Sequence, residues 1–472
     1  MSARALALRV LRGAESAGEY AAEGLDRELD LAGLPGPDRA LATALVYATV
    51  RHRGTIDGVL GAFSSIPVDK MDDAMRWILR TAVCQLVFLE RVPAYAVLNE
   101  ATELAKSTGH GRAGAFATGV LRAIQRALLE FRPDGAARKA EPVPAEEETW
   151  PRTVPRAVEE RWPGLPHRRI IPVPAGRVAI FDRDLWPDPV LDPPAYLSRA
   201  LSHPGWLVRR WLARWGSRAT IAALEAGNRH PELSIRANPL RCTVAGLAAR
   251  LKQEGIDIDP GLPRLRHAGP IAALASFRDG WFSVQDEAAQ AVAPLMQVRA
   301  GERIADLCAA PGGKSAQLAE LGANVLAADS DPGKVHAMRA SFVRTGAGVT
   351  LLTADAKHPP LRPVFDGVLV DAPCSNTGVL SRRVEARWRL RERDVGALGP
   401  IQRSILRAAL GVVKPGGRVV YSTCSVEDEE NARLVREVIR EGNGLKLEEE
   451  LTILPGAEHT CGGYAARIRL RG

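Results

Sequence analysis

The chain has 472 residues, of which 46% are hydrophobic and 25% charged, and its 63 Lys and Arg against 55 Asp and Glu give a formal net charge of +8. That length corresponds to about three ordinary domains, and the composition belongs to a globular chain that can bury real cores. It excludes a disordered tail and a disulfide-stapled mini-protein. The mild basic excess fits a polyanion partner, but many soluble proteins are equally basic.

Residues 1–130 read as helix throughout. Apolar residues recur at spacings of three and four around Leu41, Leu45 and Val46, around Ile78, Val83 and Leu86, and around Leu98, Leu104, Val120 and Leu128. Gly109-His110-Gly111 divides the last stretch into two helices. Residues 131–199 differ in kind: between 133 and 194 lie 13 of the chain's 33 prolines, together with the acidic run Glu146-Glu147-Glu148. The expectation is a linker or insertion, with a local hairpin possible within 169–181. A small α+β segment follows over 200–283, with a strand over 233–238 and a helix over 244–254. From 284 to 472, helices alternate with apolar strands at 303–307, 324–328, 349–352, 367–370 and 418–422, the pattern of a parallel α/β sheet. No run reaches the roughly 18 apolar residues of a membrane span, and Met1 to Val10 makes a poor signal peptide. A cytoplasmic protein without a membrane partner is the expectation.

The first of these strands runs into Cys308, Ala309, Ala310, Pro311, Gly312, Gly313 and Lys314, and a helix follows. Strand, glycine turn and helix form a nucleotide-binding geometry, because glycine lets the backbone approach a ligand and a helix N-terminus offers unpaired N–H groups. Asp329 ends the next strand, where a ribose is commonly held, and Asp355 follows the third, where an adenine amino group can be met. Each Asp alone is equally well explained as a turn or capping residue. Acids recurring at successive strand ends are harder to explain that way. The P-loop spacing is missing, which argues against nucleotide hydrolysis, while a nicotinamide cofactor stays open on the loop alone.

The six cysteines, at 84, 242, 308, 374, 424 and 461, form no CxxC pair, so neither zinc ligation nor a disulfide framework is expected. Cys374, in Val370-Asp371-Ala372-Pro373-Cys374-Ser375-Asn376-Thr377-Gly378, and Cys424, in Tyr421-Ser422-Thr423-Cys424-Ser425, both follow strands. Ligands of open α/β sheets bind at the strands' carboxyl ends, so both thiols are expected to face one crevice. Their Pro, Ser, Thr, Asn and Gly neighbours suit nucleophiles better than buried hydrophobes. Cys308 is expected to pack beside the glycine loop.

The motifs DLCAAPGGK, VDAPCSNTG and YSTCS, in this order, resemble the Sun (Fmu) family of bacterial 16S rRNA (cytosine carbon-5) methyltransferases. The helical region ending AYAVLNEATELAKSTGHGRAGAFATGVLRAIQR resembles an NusB-like RNA-binding domain. The segments Arg236-Ala237-Asn238 and FSVQDEAAQ resemble that family's RNA-facing subdomain. The resemblance implies an all-α NusB-like N-terminal domain joined to an α/β Rossmann-like class I methyltransferase domain that uses S-adenosylmethionine. It implies that Cys424 attacks carbon 6 of the base, that Cys374 assists breakdown of the adduct, and that Asp371 contacts the base edge or the cofactor's methionine end. The seven residues of the 308–314 loop, with Asp329 and Asp355, then hold the cofactor. The resemblance places Arg236, Asn238, Gln285 and Asp286 against RNA; by charge alone, Arg382, Arg383, Arg387 and Arg389 are either a further phosphate-contacting face or only solvated surface charges. The implied partner is 16S rRNA, with no DNA and a monomeric chain.

Carbon-5 DNA methyltransferases carry their nucleophile in a Pro-Cys motif like Pro373-Cys374; in that case Cys424 would be dispensable. The Thr-Cys-Ser motif and the NusB-like region favour RNA. The same chemistry on tRNA, or a non-enzymatic RNA-binding factor, are the alternatives. The sequence departs from the family pattern at Asn376, in place of a usual Gly, at Val384, and in Cys461-Gly462-Gly463-Tyr464. These departures bear on the shape of the base pocket.

Overall fold

The computed structural model describes residues 2–17, 20–89, 92–109, 111–135, 153–231, 233–259, 261, 263–265 and 269–472. The chain divides into two compact units. One is Met1–Arg229 with Arg387–Arg389, and the other is His230–Ala386 with Leu390–Gly472.

The first unit begins with helices Ala3–Ala17, Ala21–Ala32, Gly36–Arg51, Arg53–Phe63, Asp73–Phe88, Ala94–Lys106 and Ala113–Ala127. Their apolar stripes meet in a core that includes Leu45, Val46, Ile78, Val83, Leu98 and Ile124. Asp72 starts one of them by accepting from Met75 N at 3.2 Å, the usual way a helix satisfies its first donors. The break expected at Gly109-His110-Gly111 falls between Lys106 and Ala113; His110 itself lies outside the described residues.

The proline-rich stretch is where the sequence reading needs correction. Residues 136–152, with the acidic run and Pro142-Val143-Pro144, lie outside the described residues. The remainder folds. Strands Leu128–Pro133, Arg177–Phe181 and Ile170–Val173 form an antiparallel sheet in that order, and the second and third are the hairpin expected within 169–181. Helices Thr153–Arg161 and Pro193–Ala200 accompany it. Trp162, Ile171, Phe181 and Trp186 are buried. The prolines occupy positions that tolerate them. Pro193 and Pro194 open a helix capped by Asp192, and Pro172 sits on an edge strand. In the described part of this stretch, prolines at helix starts and a strand edge are compatible with a core. The boundary expected at residue 200 also shifts, because helix Gly205–Asn228 belongs to the first unit.

In the second unit, strands Arg264–Leu265, Leu233–Ala237 and Phe282–Val284 make a small sheet in that order, covered by helix Val244–Gln253. The larger sheet has seven strands: β1 Arg303–Asp306, β2 Asn324–Asp329, β3 Val349–Thr353, β4 Phe365–Asp371, β5 Val413–Thr423, β6 Leu445–Ile453 and β7 Gly463–Leu470. Their order is β6-β7-β5-β4-β1-β2-β3. The five strands expected from sequence are all present and parallel. Strands β6 and β7 were not anticipated: β7 runs antiparallel between β5 and β6. Their acid- and Arg-rich sequences, Leu-Lys-Leu-Glu-Glu-Glu and Arg-Ile-Arg-Leu, pair charges across the strands, as Arg467 and Arg469 do with Glu448. Strand order reverses between β1 and β4, so the fold's ligand crevice opens at the carboxyl ends of these strands.

Candidate active site

The glycine loop leaves β1 and enters helix α1, Gly313–Glu320. Gly312 holds a left-handed φ of 99°, and a Cβ there would stand 2.9 Å from the Phe342 ring, so only glycine fits. No side chain caps the N-terminus of α1, which leaves its first N–H groups for a ligand. Asp329 lies beside the loop and accepts from Ala310 N at 3.2 Å. Asp355 is exposed past β3 and is held below its ordinary carboxylate range, chiefly by the Lys357 backbone N–H. An uncapped helix start, a loop of mostly small residues and two nearby carboxylates suit a ligand with both anionic and hydroxyl or amino groups. Cys308 packs against the core beneath, and burial pushes its thiol up. Asp306, missed in the sequence reading, is buried at the end of β1 and hydrogen-bonded by Ser315 at 2.6 Å; burial raises its carboxyl to about 7.

Beyond β4 and β5 the two cysteines meet. Cys374 Sγ and Cys424 Sγ are 3.2 Å apart. The hydrogen bond to Cys424, reinforced by burial, pushes the Cys374 thiol well above its ordinary range and keeps its proton on. Asp371, at the end of β4, accepts from Lys314 Nζ at 2.6 Å and from Ser422 Oγ at 2.8 Å. Burial works against the Lys314 ammonium, but the Asp371 carboxylate outweighs it and holds the group charged. Lys314, Asp371, Cys424 and Asp286 line one cavity of about 70 Å³, closed by Val292, Ile453, Cys461 and Tyr464.

Three buried contacts fix the cysteine loop. Glu430 accepts from Ser375 N at 2.9 Å and from Ser375 Oγ at 2.5 Å. Gln402 donates to Glu430 and to Pro373 O. Gly378 donates to Cys424 O at 3.0 Å and accepts from Gly462 N at 2.7 Å, and a Cβ at Gly378 would collide with both carbonyls. The sequence reading missed Glu430. It sits in the acidic run Glu427-Asp428-Glu429-Glu430, which looks like a solvated face, yet Glu427 and Glu430 are fully buried. Its only signal was its place directly after the Thr-Cys-Ser motif.

The structure reassigns most of the residues expected to face RNA. Asn238 is 1% exposed and donates to Gly280 O and Thr345 O, while its carbonyl accepts from Leu240 N. Arg236 is paired with Glu320 and donates to Gln285 at 2.7 Å, and Gln285 donates on to Gln317 at 3.0 Å. These three knit the small sheet to α1 instead of presenting a surface. Asp286 alone reaches the cavity, paired with Arg382. Arg387, expected on the basic surface, is fully buried and donates to the carbonyls of Ser202 and Gly227 and to Asn228. Of that group, Arg383 is exposed.

A reversed α/β sheet of this order, with a glycine loop at β1, is that of a Rossmann-like class I methyltransferase, whose cofactor is S-adenosylmethionine. Residues 293–467 match the model of the 16S rRNA methyltransferase RsmB/F family, residues 203–264 its ferredoxin-like domain, and residues 1–126 the NusB family. The chain is 31% identical to a Bacillus subtilis protein described as probable ribosomal RNA small subunit methyltransferase B, over 86% of this chain and 81% of that one. It is 28% identical to the ribosomal RNA small subunit methyltransferase B of Salmonella heidelberg, over 91% and 90% of the two chains. A methyltransferase homolog protein from Pyrococcus horikoshii superposes with a TM-score of 0.51 at 26% identity, covering 58% of this chain and 97% of that one. The chain belongs to the RsmB/F methyltransferase family.

Proposed function

We propose that this protein methylates carbon 5 of a cytosine in 16S rRNA through a covalent adduct between Cys424 and carbon 6 of the base. The observation that carries the reading is the thiol pair: two cysteine sulfurs 3.2 Å apart, of which Cys424 lines a cavity with Lys314 and Asp371. Carbon 5 of cytosine is a poor nucleophile, and a thiol added at carbon 6 turns it into an enamine carbon. The cysteine pair explains both halves of that chemistry.

The roles follow from the site. The Cys424 thiol adds across the ring: sulfur bonds carbon 6, and the thiol proton ends on ring N3. The Lys314–Asp371 pair lines the same cavity and in this reading meets the base edge. The 308–314 loop with Asp329 and Asp355 would hold S-adenosylmethionine, which would supply the sulfonium methyl that carbon 5 takes. With the Cys424 sulfur bonded to carbon 6, the hydrogen bond that chiefly held the Cys374 proton is lost, and Cys374 releases that proton to solvent and accepts the carbon-5 proton. The sulfur–carbon 6 bond breaks, its electron pair returns to Cys424, and the double bond between carbons 5 and 6 re-forms. The N3 proton returns to Cys424, so both thiols are restored and one proton is released per turnover. A base inside a duplex cannot reach this cavity and must be unpaired or flipped out.

Bisulfite mapping of cellular RNA with and without this protein tests the reading. Loss of one 5-methylcytosine in small-subunit rRNA is the expected result. Loss confined to tRNA moves the chemistry to another substrate, and no loss anywhere refutes the enzyme reading.

A further inference from the structure

We propose that Asn376 is a positioning residue for Cys424, holding the nucleophilic sulfur in its attacking orientation through the side-chain amide. The inference rests on the reading of Cys424 as nucleophile. Asn376 sits in the left-handed region, with φ 62° and ψ 21°. Asn is one of the few side chains that accept that conformation, because its short amide bonds locally. Here the local bond is visible: Nδ2 donates to Cys374 O at 2.9 Å. That bond fixes which way the amide faces and turns Oδ1 toward Cys424 Sγ, 3.2 Å away. A carbonyl oxygen can only accept, so the Cys424 thiol donates to it. The sulfur is then oriented from two sides, by Asn376 and by the Cys374 thiol at 3.2 Å.

The geometry separates two things that a loop residue can do. The left-handed turn is a backbone requirement, which glycine meets without strain. The amide contact to sulfur is a side-chain requirement, which glycine cannot meet. A residue serving only the turn makes Asn376→Gly silent; a residue aiming the thiol does not. An Asp in the same place keeps the shape but sets a negative charge against the sulfur that must become anionic as it attacks.

The test uses the full-length protein and 16S rRNA transcribed with 5-fluorocytidine in place of cytidine, in which the fluorine cannot leave as a proton does and the Cys424 adduct accumulates. Adduct formation is timed by denaturing gel, and kcat and KM are measured separately on unmodified transcript. Asn376→Gly is expected to slow adduct formation and kcat by the same factor, about tenfold, the worth of one buried hydrogen bond, with KM for both substrates unchanged. Asn376→Asp is expected to lose about 100-fold or more through like-charge repulsion. Adduct formation at the wild-type rate in Asn376→Gly overturns the inference, as does a loss appearing only in KM. If the wild-type protein forms no adduct, the proposed function itself fails and the inference falls with it.

Discussion

Glu430 gives the most direct check on how the cysteine loop is held. Replacing it with Ala removes the acceptor for Ser375 N at 2.9 Å, Ser375 Oγ at 2.5 Å and Gln402 Nε2 at 3.2 Å. Two of these donors have other partners: Ser375 Oγ lies 3.0 Å from Ser425 Oγ, and Gln402 keeps Pro373 O at 2.8 Å. The Ser375 N–H is left stranded inside the protein, which costs about 1–3 kcal/mol. The cavity adds roughly another 1 kcal/mol, so local opening becomes about 30- to 1,000-fold more frequent at ~1.4 kcal/mol per decade. Glu430→Gln behaves differently. Burial raises the Glu430 carboxyl, favouring its neutral form, and a Gln amide imitates that form: its oxygen accepts from Ser375 N while its nitrogen donates to Ser375 Oγ. The sign is set by the direction of the shift. A carboxyl raised in the folded state contributes stability that is complete below its ordinary range and lost as pH climbs through the raised value. Wild-type protection of the loop should therefore decline relative to Glu430→Gln on the alkaline side. Hydrogen–deuterium exchange of the peptide carrying Ser375, compared between variants at each pH, reads all three quantities. Equal protection in Glu430→Ala and wild type, or equal damage from Gln and Ala, refutes the account of the loop.

Three further outcomes are expected. Cys374→Ala should accumulate a covalent RNA adduct on unmodified transcript while Cys424→Ala forms none, as seen by denaturing gel; the reverse pattern means the two roles are exchanged. Trp162→Ala should destabilise the first unit by about 3–5 kcal/mol, since the side chain is fully buried, and calorimetry showing an unchanged transition would restore the linker reading of this stretch. Arg236→Met should lower the unfolding temperature of the second unit, because it strands the buried Glu320 carboxylate at about 3–5 kcal/mol, yet leave the salt dependence of RNA binding intact. A slope shallower by about one unit would show that Arg236 neutralises a phosphate after all.

What could be read from the sequence, and what could not, divides along one physical line. The parallel strands were legible because each is a short apolar run, the central ones buried on both faces, as Val368, Leu369 and Val370 are. The glycine loop and the two cysteines stand out in the sequence because residue types of that kind have few other reasons to stand at a strand end. Polar residues gave no such signal, because an Arg or Asn reads the same whether it faces water or closes a buried network. Arg236, Asn238 and Gln285 were taken as surface for that reason, and Glu430 was overlooked for the same one. Each is fixed by partners far along the chain: Arg236 by Glu320, Asn238 by Thr345, Glu430 by Ser375. Strands β6 and β7 were missed because their stabilising pairs are likewise ionic and non-local, joining Glu448 to Arg467 and Arg469. Asn376 lies on the line itself. The sequence marked it as a departure from its relatives, but only the fold shows that its amide reaches the sulfur of Cys424. Under the proposed mechanism, a substitution that leaves the turn intact and adds a contact to Cys424 changes how that thiol is held without changing which thiol attacks.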